Sequence, residues 1–370
     1  QTIDISIGSF SANSLGGSTG DVVSSTTTIA DVAAATDAAV GLTVNDKVLT
    51  DIGAAVPATV NELLTSLNGD LDSVNVKAST LAELTGDSIG SGVLVGPTNS
   101  LDITVTDGNG LDQVIKITDT NSMKEVVSKI NDAAGGIVQA SLNESGRLVL
   151  SAQNSENISV AATGNSQTAV GMTTSNDSAG FSLVFTAGAG ASEVNISSVG
   201  DYAAAGAAMI DAGFDFHGED GSITGAAITT QNALNKGDLI INGVEIGAVT
   251  AGADADEQAE NLVDAINAKS AETGVVAHFD SAATDQLVLK STGDGQISVK
   301  YGDNAATTIG TDTGLLERNA TEGAGSVASI DISTEAGAQK AIGIIDKALE
   351  QVNATRADLG AVNNRLDFTV

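Results

Sequence analysis

Met123–Asn131 reads MKEVVSKIN, and Ala259–Asn267 reads AENLVDAIN. Val126, Val127 and Ile130 in the first run, and Leu262, Val263 and Ile266 in the second, recur at the spacing that lines one face of a helix. Both runs end on the same Ile-Asn pair. The likeness extends outward. Leu148-Val149-Leu150 matches Leu287-Val288-Leu289, Ile158-Ser159-Val160 matches Ile297-Ser298-Val299, and Val170-Gly171 matches Ile309-Gly310. The helices align at an offset of 136 residues and the strands at 139, so three residues are added after the second helix. Glu272–Asp280 is the turn region expected to take them up.

Each copy therefore reads as strand, turn, strand, one short helix, and a second strand pair. Asp107-Gly108 and Asn242-Gly243 supply the turn chemistry of the opening hairpins. One amphipathic helix over a small antiparallel sheet buries the apolar side of both. A weaker third copy begins near the start: Leu42–Asp46 resembles Leu239–Gly243, and Leu63–Asn68, LLTSLN, resembles the two helix runs. Its closing hairpin is not visible. Ser175–Gln231 is rich in Gly, Ala, Ser and Thr, with a strand expected at Phe181–Thr186 and an Ala-rich helix near Tyr202–Ala212. The expected class is α+β: small antiparallel sheet modules, each with a short helix, inserted into a discontinuous helical and β core. The expected boundaries are 1–30 with 318–370 for that core, 31–98 for a first insert, 99–175 and 237–317 for the repeat modules, and 176–236 for a linking region.

Composition narrows the function. The chain has 370 residues, 15 basic against 47 acidic side chains, a net charge of −32, 2% aromatics and no Cys. Phosphate contacts and anionic lipid need clustered Lys and Arg, so neither nucleic acid nor a membrane surface is an expected partner. No apolar run approaches the roughly 20 residues that span a bilayer. Without Cys there is no disulfide, thiolate metal site or thiol nucleophile. Few aromatics leave little to wall a small-molecule pocket.

The carboxyl end carries a different signal. From Ser333 to Val370 an amphipathic helix is expected, capped by Ser333 or Thr334. Ile345, Val352, Leu359 and Leu366 recur every seven residues, with Leu349 in the alternate seam position. Such a stripe wants a partner helix of similar length, and the rest of the sequence offers none. Arg356 and Arg365 flank it and are expected to pair with acids on a neighbour.

These residues also carry a family resemblance. Ser329–Ser333, SIDIS, followed by Ala348–Asn353, ALEQVN, and Arg356–Arg365, RADLGAVNNR, resembles the carboxyl-terminal core of bacterial flagellin. Gln1–Ile7 resembles the strand after flagellin's amino-terminal core helices, and the repeats resemble insert modules of flagellins and filament-cap proteins. The resemblance implies a structural subunit of the flagellar filament, secreted and self-assembling for motility, with variable domains facing outward. Ile345, Leu349, Val352, Arg356, Leu359, Arg365 and Leu366 would then pack against other flagellin subunits. It further implies an export chaperone and an innate immune receptor of animals as partners of the full-length protein. The amino-terminal core helices and the terminal segment of the family pattern are not in this sequence, so it reads as a truncated form. A flagellin-related surface adhesin or cap-like glycan-binding protein is the alternative.

Enzymatic chemistry finds no foothold. His217 and His278 are the only histidines. His217, in GFDFHGED, is expected in an exposed loop, and His278 on the solvent side of a strand. Asp254, Asp256 and Glu257, or Asp107, Asn109 and Asp112, lack the spacing of a full calcium loop. Glu257 is better explained as a first-turn acid facing the positive end of a helix. No Ser–His–acid set or P-loop is present, and no catalytic residue, cofactor or metal is expected.

Overall fold

The computed structural model describes residues 22–96, 99–143, 145–162, 166–172, 176–187, 194–200, 202–217, 222–279, 284–292, 297–302 and 304–318, with Ile345. The chain opens with β1 (Val22–Thr27), α1 (Ile29–Ala35), the hairpin β2 (Leu42–Val44) and β3 (Lys47–Val48), α2 (Val60–Leu71) and the long strand β4 (Val76–Thr85). Next come β5 (Val93–Leu94), β6 (Leu101–Asp107), β7 (Asp112–Ile117), β8 (Thr120–Asn121), α3 (Met123–Ala134), β9 (Gln139–Leu142), β10 (Leu148–Gln153), β11 (Ser155–Ala162) and α4 (Ser166–Val170). A second long strand, β12 (Asn176–Ala187), leads to β13 (Ile196–Ser198) and α5 (Tyr202–Asp211). The last stretch holds β14 (Phe216–His217), β15 (Ile223–Thr224), β16 (Leu239–Ile241), β17 (Val244–Glu245), α6 (Ala255–Asn267), α7 (Ser270–Thr273), β18 (Val275–Phe279), β19 (Leu287–Ser291), β20 (Val299–Tyr301) and α8 (Ile309–Thr313).

All strand pairings among these elements are antiparallel, and the class is α+β as the sequence implies. Three apolar cores form. The first draws on Val22–Ala78 and Phe181–Phe214, the second on Ala82–Met172, and the third on Ile223–Leu315. Residues 176–236 are divided between the first core, through Phe214, and the third, from Ile223. The first two cores share one sheet, ordered β7-β6-β11-β12-β4-β10-β9, with β1 also on β12.

The second and third cores are built alike. Ser122 caps α3 by accepting from Glu125 N, and Glu125 Oε2 accepts from Asn121 N at 2.9 Å. Asp254 caps α6 by accepting from Glu257 N, and Glu257 Oε2 accepts from Ala253 N at 2.7 Å. The cap side chain satisfies an amide that the first helical turn leaves open, and the Glu reaches back to hold the residue just ahead of the cap. The shared Asn then explains itself. Asn131 Oδ1 accepts from Ala140 N at 2.7 Å while its Nδ2 donates to Ala140 O at 3.0 Å. Asn267 does the same to Ala277 at 2.8 and 2.9 Å. One side-chain amide thereby fixes the helix against the strand it covers, and no other residue type of that size both donates and accepts in this way.

Three sequence expectations change in detail. The second half of each module is a three-stranded run and a short helix, because β9 and β18 precede the expected strands and α4 and α8 follow them. Val170-Gly171 aligns with Thr313-Gly314, not Ile309-Gly310: Gly171 at φ +84° and Gly314 at φ +69° each end a short helix in the left-handed region open to glycine. Of the three added residues, one falls between helix and strand (Asn267 to Ala277 against Asn131 to Ala140) and two in the hairpin (Ala277 to Leu289 against Ala140 to Leu150). Glu272–Asp280 is accordingly not a turn; α7 and β18 occupy most of it.

Candidate functional site: the junction leading to the carboxyl-terminal segment

Of the subunit-packing set, Ile345 is described, helical and 45% exposed. Leu349, Val352, Arg356, Leu359, Arg365 and Leu366 lie outside the described residues, as do the expected strand at Ile330 and Ile332 and the cap at Ser333 or Thr334. What the structure does place is the junction at which the chain leaves the modules toward that segment.

The junction is built on Gly213–Asp215. Gly213 follows α5 at φ +85°, and its carbonyl accepts from Ser25 N of β1 at 2.8 Å. A Cβ there would sit 2.5 Å from Ser25 O, so only glycine lets the incoming strand approach. Phe214 turns into the first core, its ring 6.0 Å from that of Phe185. Asp215 turns the other way, and its Oδ1 accepts from Leu316 N at 3.1 Å. Two residues on, Arg318 exchanges both backbone hydrogen bonds with Val299 of β20 at 3.0 Å. The chain's incoming strand and outgoing segment are thus both fastened to the same short stretch.

Charge is gathered here out of water. Asp215 is 0% and Arg318 2% exposed. Burial pushes the Asp215 carboxyl up to about 7, against the pull of the Arg318 guanidinium and the Leu316 N–H. Burial likewise lowers the Arg318 guanidinium, and Asp215 restores part of the loss. Glu317 is raised by burial although its Oε1 accepts from Tyr301 N at 2.7 Å. Tyr301, whose hydroxyl donates to Leu315 O, is held neutral by burial and by the nearby Asp215 and Glu317 charges. Asp215 Oδ2 accepts no hydrogen bond among the described residues. Asp215 and Arg318 act on one another through their charges, which offsets only part of the cost of burying both.

Nothing in the arrangement resembles catalytic machinery. His217 lies in β14, paired with Ile223, and not in a loop; His278 is exposed on β18 as expected. Among the described residues no group of three or more His, Cys, Asp or Glu side chains is placed to hold a metal. Asp254 is spent on its cap, and Asp107 Oδ1 accepts from Asn109 N and Leu111 N within its own turn. Among the described residues no helix is long and apolar enough to cross a membrane. Sequence reading missed the Asp215–Arg318 pair. The available signal was the scarcity of basic residues, although Glu317 beside Arg318 in Gly314–Arg318, GLLER, offers a nearer acid in sequence.

Comparison with known proteins agrees with the modules. The flagellin hook IN motif matches residues 100–154 and 238–293, the opening hairpin, capped helix and following strands of the second and third cores. B-type flagellin of Pseudomonas aeruginosa is 60% identical over 45 residues, 12% of this chain and 9% of that protein. Flagellin A of Vibrio cholerae is 52% identical over 44 residues, 12% of each. Polar flagellin F of Vibrio parahaemolyticus is 30% identical over 109 residues, 28% of this chain and 29% of that one. The matches to the first two relatives span about a tenth of their length. A crystal structure of the flagellar cap protein FliD from Helicobacter pylori aligns over 66% of this chain and 57% of that one at 12% identity, with a TM-score of 0.19, too slight a likeness to bear on the fold. The chain thus carries two copies of a flagellin motif and shares shorter stretches of sequence with several flagellins.

Proposed function

We propose that this chain is part of a structural subunit of the bacterial flagellar filament, located outside the cell, with its β modules forming the surface. The observation that carries the reading is the sequence shared with several flagellins, joined to two copies of a flagellin motif in one chain. Residues 1–30 with 318–370 are assigned to the filament-building portion, and the intervening modules to its exterior. Ile345, Leu349, Val352, Leu359 and Leu366 form the seam that partner helices cover, with Arg356 and Arg365 as flanking ion-pair donors. Burying such a seam between subunits is the step that assembly drives forward, at about 25 cal/mol per Å² of apolar surface removed from water. Other flagellin subunits are the principal partners. An export chaperone and an innate immune receptor of animals are further partners of the intact protein.

The test is assembly. The complete gene is expressed in a bacterium lacking its own flagellins, and the cells are inspected by electron microscopy. Filaments are expected from the unmodified gene and none from Leu349→Asp with Val352→Asp. A bald cell with the unmodified gene, given protein in the medium, ends the reading.

A further inference from the structure

We infer that the first core is a third module of the same kind, and that the second module was inserted into its hairpin. The flagellin motif match leaves 42–85 and 176–214 unassigned, yet their hydrogen bonds repeat those of the other two modules. Thr59 caps α2 by accepting from Glu62 N, and Glu62 Oε2 accepts from Ala58 N at 2.9 Å, as in α3 and α6. Asn68 Oδ1 accepts from Ala78 N at 2.7 Å and its Nδ2 donates to Ala78 O at 3.0 Å, the clamp made by Asn131 and Asn267.

The correspondence continues across the sheets. Each clamped Ala lies in a row of three paired residues: Val22–Phe185–Ala78, Leu84–Leu150–Ala140 and Ile223–Leu289–Ala277. All nine are buried. The opening hairpins turn through Asn45-Asp46 and Asn242-Gly243, all four residues at positive φ. Asn45 Oδ1 accepts from Asn195 N, and Asn242 Oδ1 from Ser298 N, each at 2.7 Å, just ahead of the closing strands β13 and β20. Each module then ends on a short helix and a glycine at positive φ whose carbonyl accepts from a leading segment: Gly213 from Ser25 N, Gly171 from Ser88 N, Gly314 from Ala226 N. A buried apolar residue follows every time, Phe214, Met172 or Leu315.

In the third module the two strands of the hairpin that follows the clamp, β18 and β19, are neighbours in sequence. In the first module the equivalent strands are β4 and β12, and the whole second module lies between them. This accounts for their lengths of 10 and 12 residues, about twice the usual strand. The inner part of each pairs with its twin, Val76–Ala82 against Phe181–Ala187. The outer part enters the second module, Leu81–Thr85 on β10 and Asn176–Gly180 on β11. The β4–β12 hairpin is therefore an acceptor position, and the second module can be taken out without opening the first.

The experiment excises it. In one variant, residues 84–179 are replaced by Asn-Gly, which closes Glu83 on Gly180 as a two-residue hairpin. In another, residues 86–175 are replaced by Gly-Asn-Gly. Hydrogen exchange is read at Ala78 and Leu183, with the intact chain as reference. At least one variant is expected to unfold cooperatively and to keep both amides within about tenfold of their protection in the intact chain. Loss of protection or of a cooperative transition in both variants overturns the insertion. In the intact chain, Asn68→Ala and Asn267→Ala are expected to raise exchange at Ala78 and Ala277 by similar factors. An unchanged Ala78 beside a deprotected Ala277 overturns the equivalence of the modules.

Discussion

The first and third modules make the same bonds from differently arranged sequence. In the third, helix, clamp, hairpin and closing strand follow one another within Leu239–Leu315. In the first, about 90 residues of another module separate the clamp from the strand it serves. Both bury the same positions: Leu63 and Leu67 of α2 stand where Leu262 and Ile266 stand in α6, each at most 1% exposed. Contiguity in sequence is therefore not what holds this module together. The clamp, the cap and the three-residue rows are, and loop length matters little because closure entropy grows only with its logarithm.

The difference between the two modules can be broken hardest at the place where they join. Arg318→Met takes away the buried guanidinium whose charge partly offsets the burial of Asp215, and leaving one of two buried opposite charges alone costs up to about 3–5 kcal/mol. The expected loss appears in denaturant unfolding, and replacing Asp215 by Leu in the same chain should recover much of it. Leu63→Ala and Leu262→Ala test the shared core. Each should cost about 2–5 kcal/mol, and by hydrogen exchange each should loosen its own core while leaving the other protected. A first module indifferent to Leu63→Ala would separate the two.

Smaller effects sharpen the picture. Thr59→Ala, Ser122→Ala and Asp254→Ala remove equivalent caps and should each cost about 0.5–2 kcal/mol, seen as nearly equal shifts of the transition. The pH response separates the junction from the turns. Asp215 is raised from 3.8 to about 7 in the fold, so the folded state holds its proton more tightly than the unfolded chain. The stability this confers is complete below about 3.8 and disappears as pH climbs through about 7. Asp107 behaves oppositely: the Leu111 and Asn109 amides hold it below the usual carboxylate range, and its contribution fades on acidification. Between pH 5 and 8 the intact chain should lose thermal stability as pH rises, and Asp215→Asn should flatten that slope.

The parts legible in the sequence are those whose partners lie nearby. The Ile-Asn ends of α3 and α6, the Asn242-Gly243 turn and the first-turn role of Glu257 all depend on residues within about ten positions. LLTSLN announced α2 for the same reason. The closing strands of the first module were hidden because the strand at Phe181–Thr186, visible as a strand, pairs with Lys77–Ala82 across an entire inserted unit. Asp215 and Arg318 were hidden likewise. Nothing local distinguishes Asp215 from the other acids of GFDFHGED until the outgoing segment folds back upon it. The closing helices of the second and third modules escaped because SQTAV and IGTDT are too brief to show a period, whereas the longer α5 of the first was visible.

The continuity of β4 and β12 has a mechanical meaning. A hairpin pulled at its open end gives way one hydrogen bond after another. Tension along the two through-strands instead loads many cross-strand bonds at once, since these run perpendicular to the strand direction. Drag on the second module thus reaches the first as shear along a common sheet, with no slack tether between them to flex or fail first.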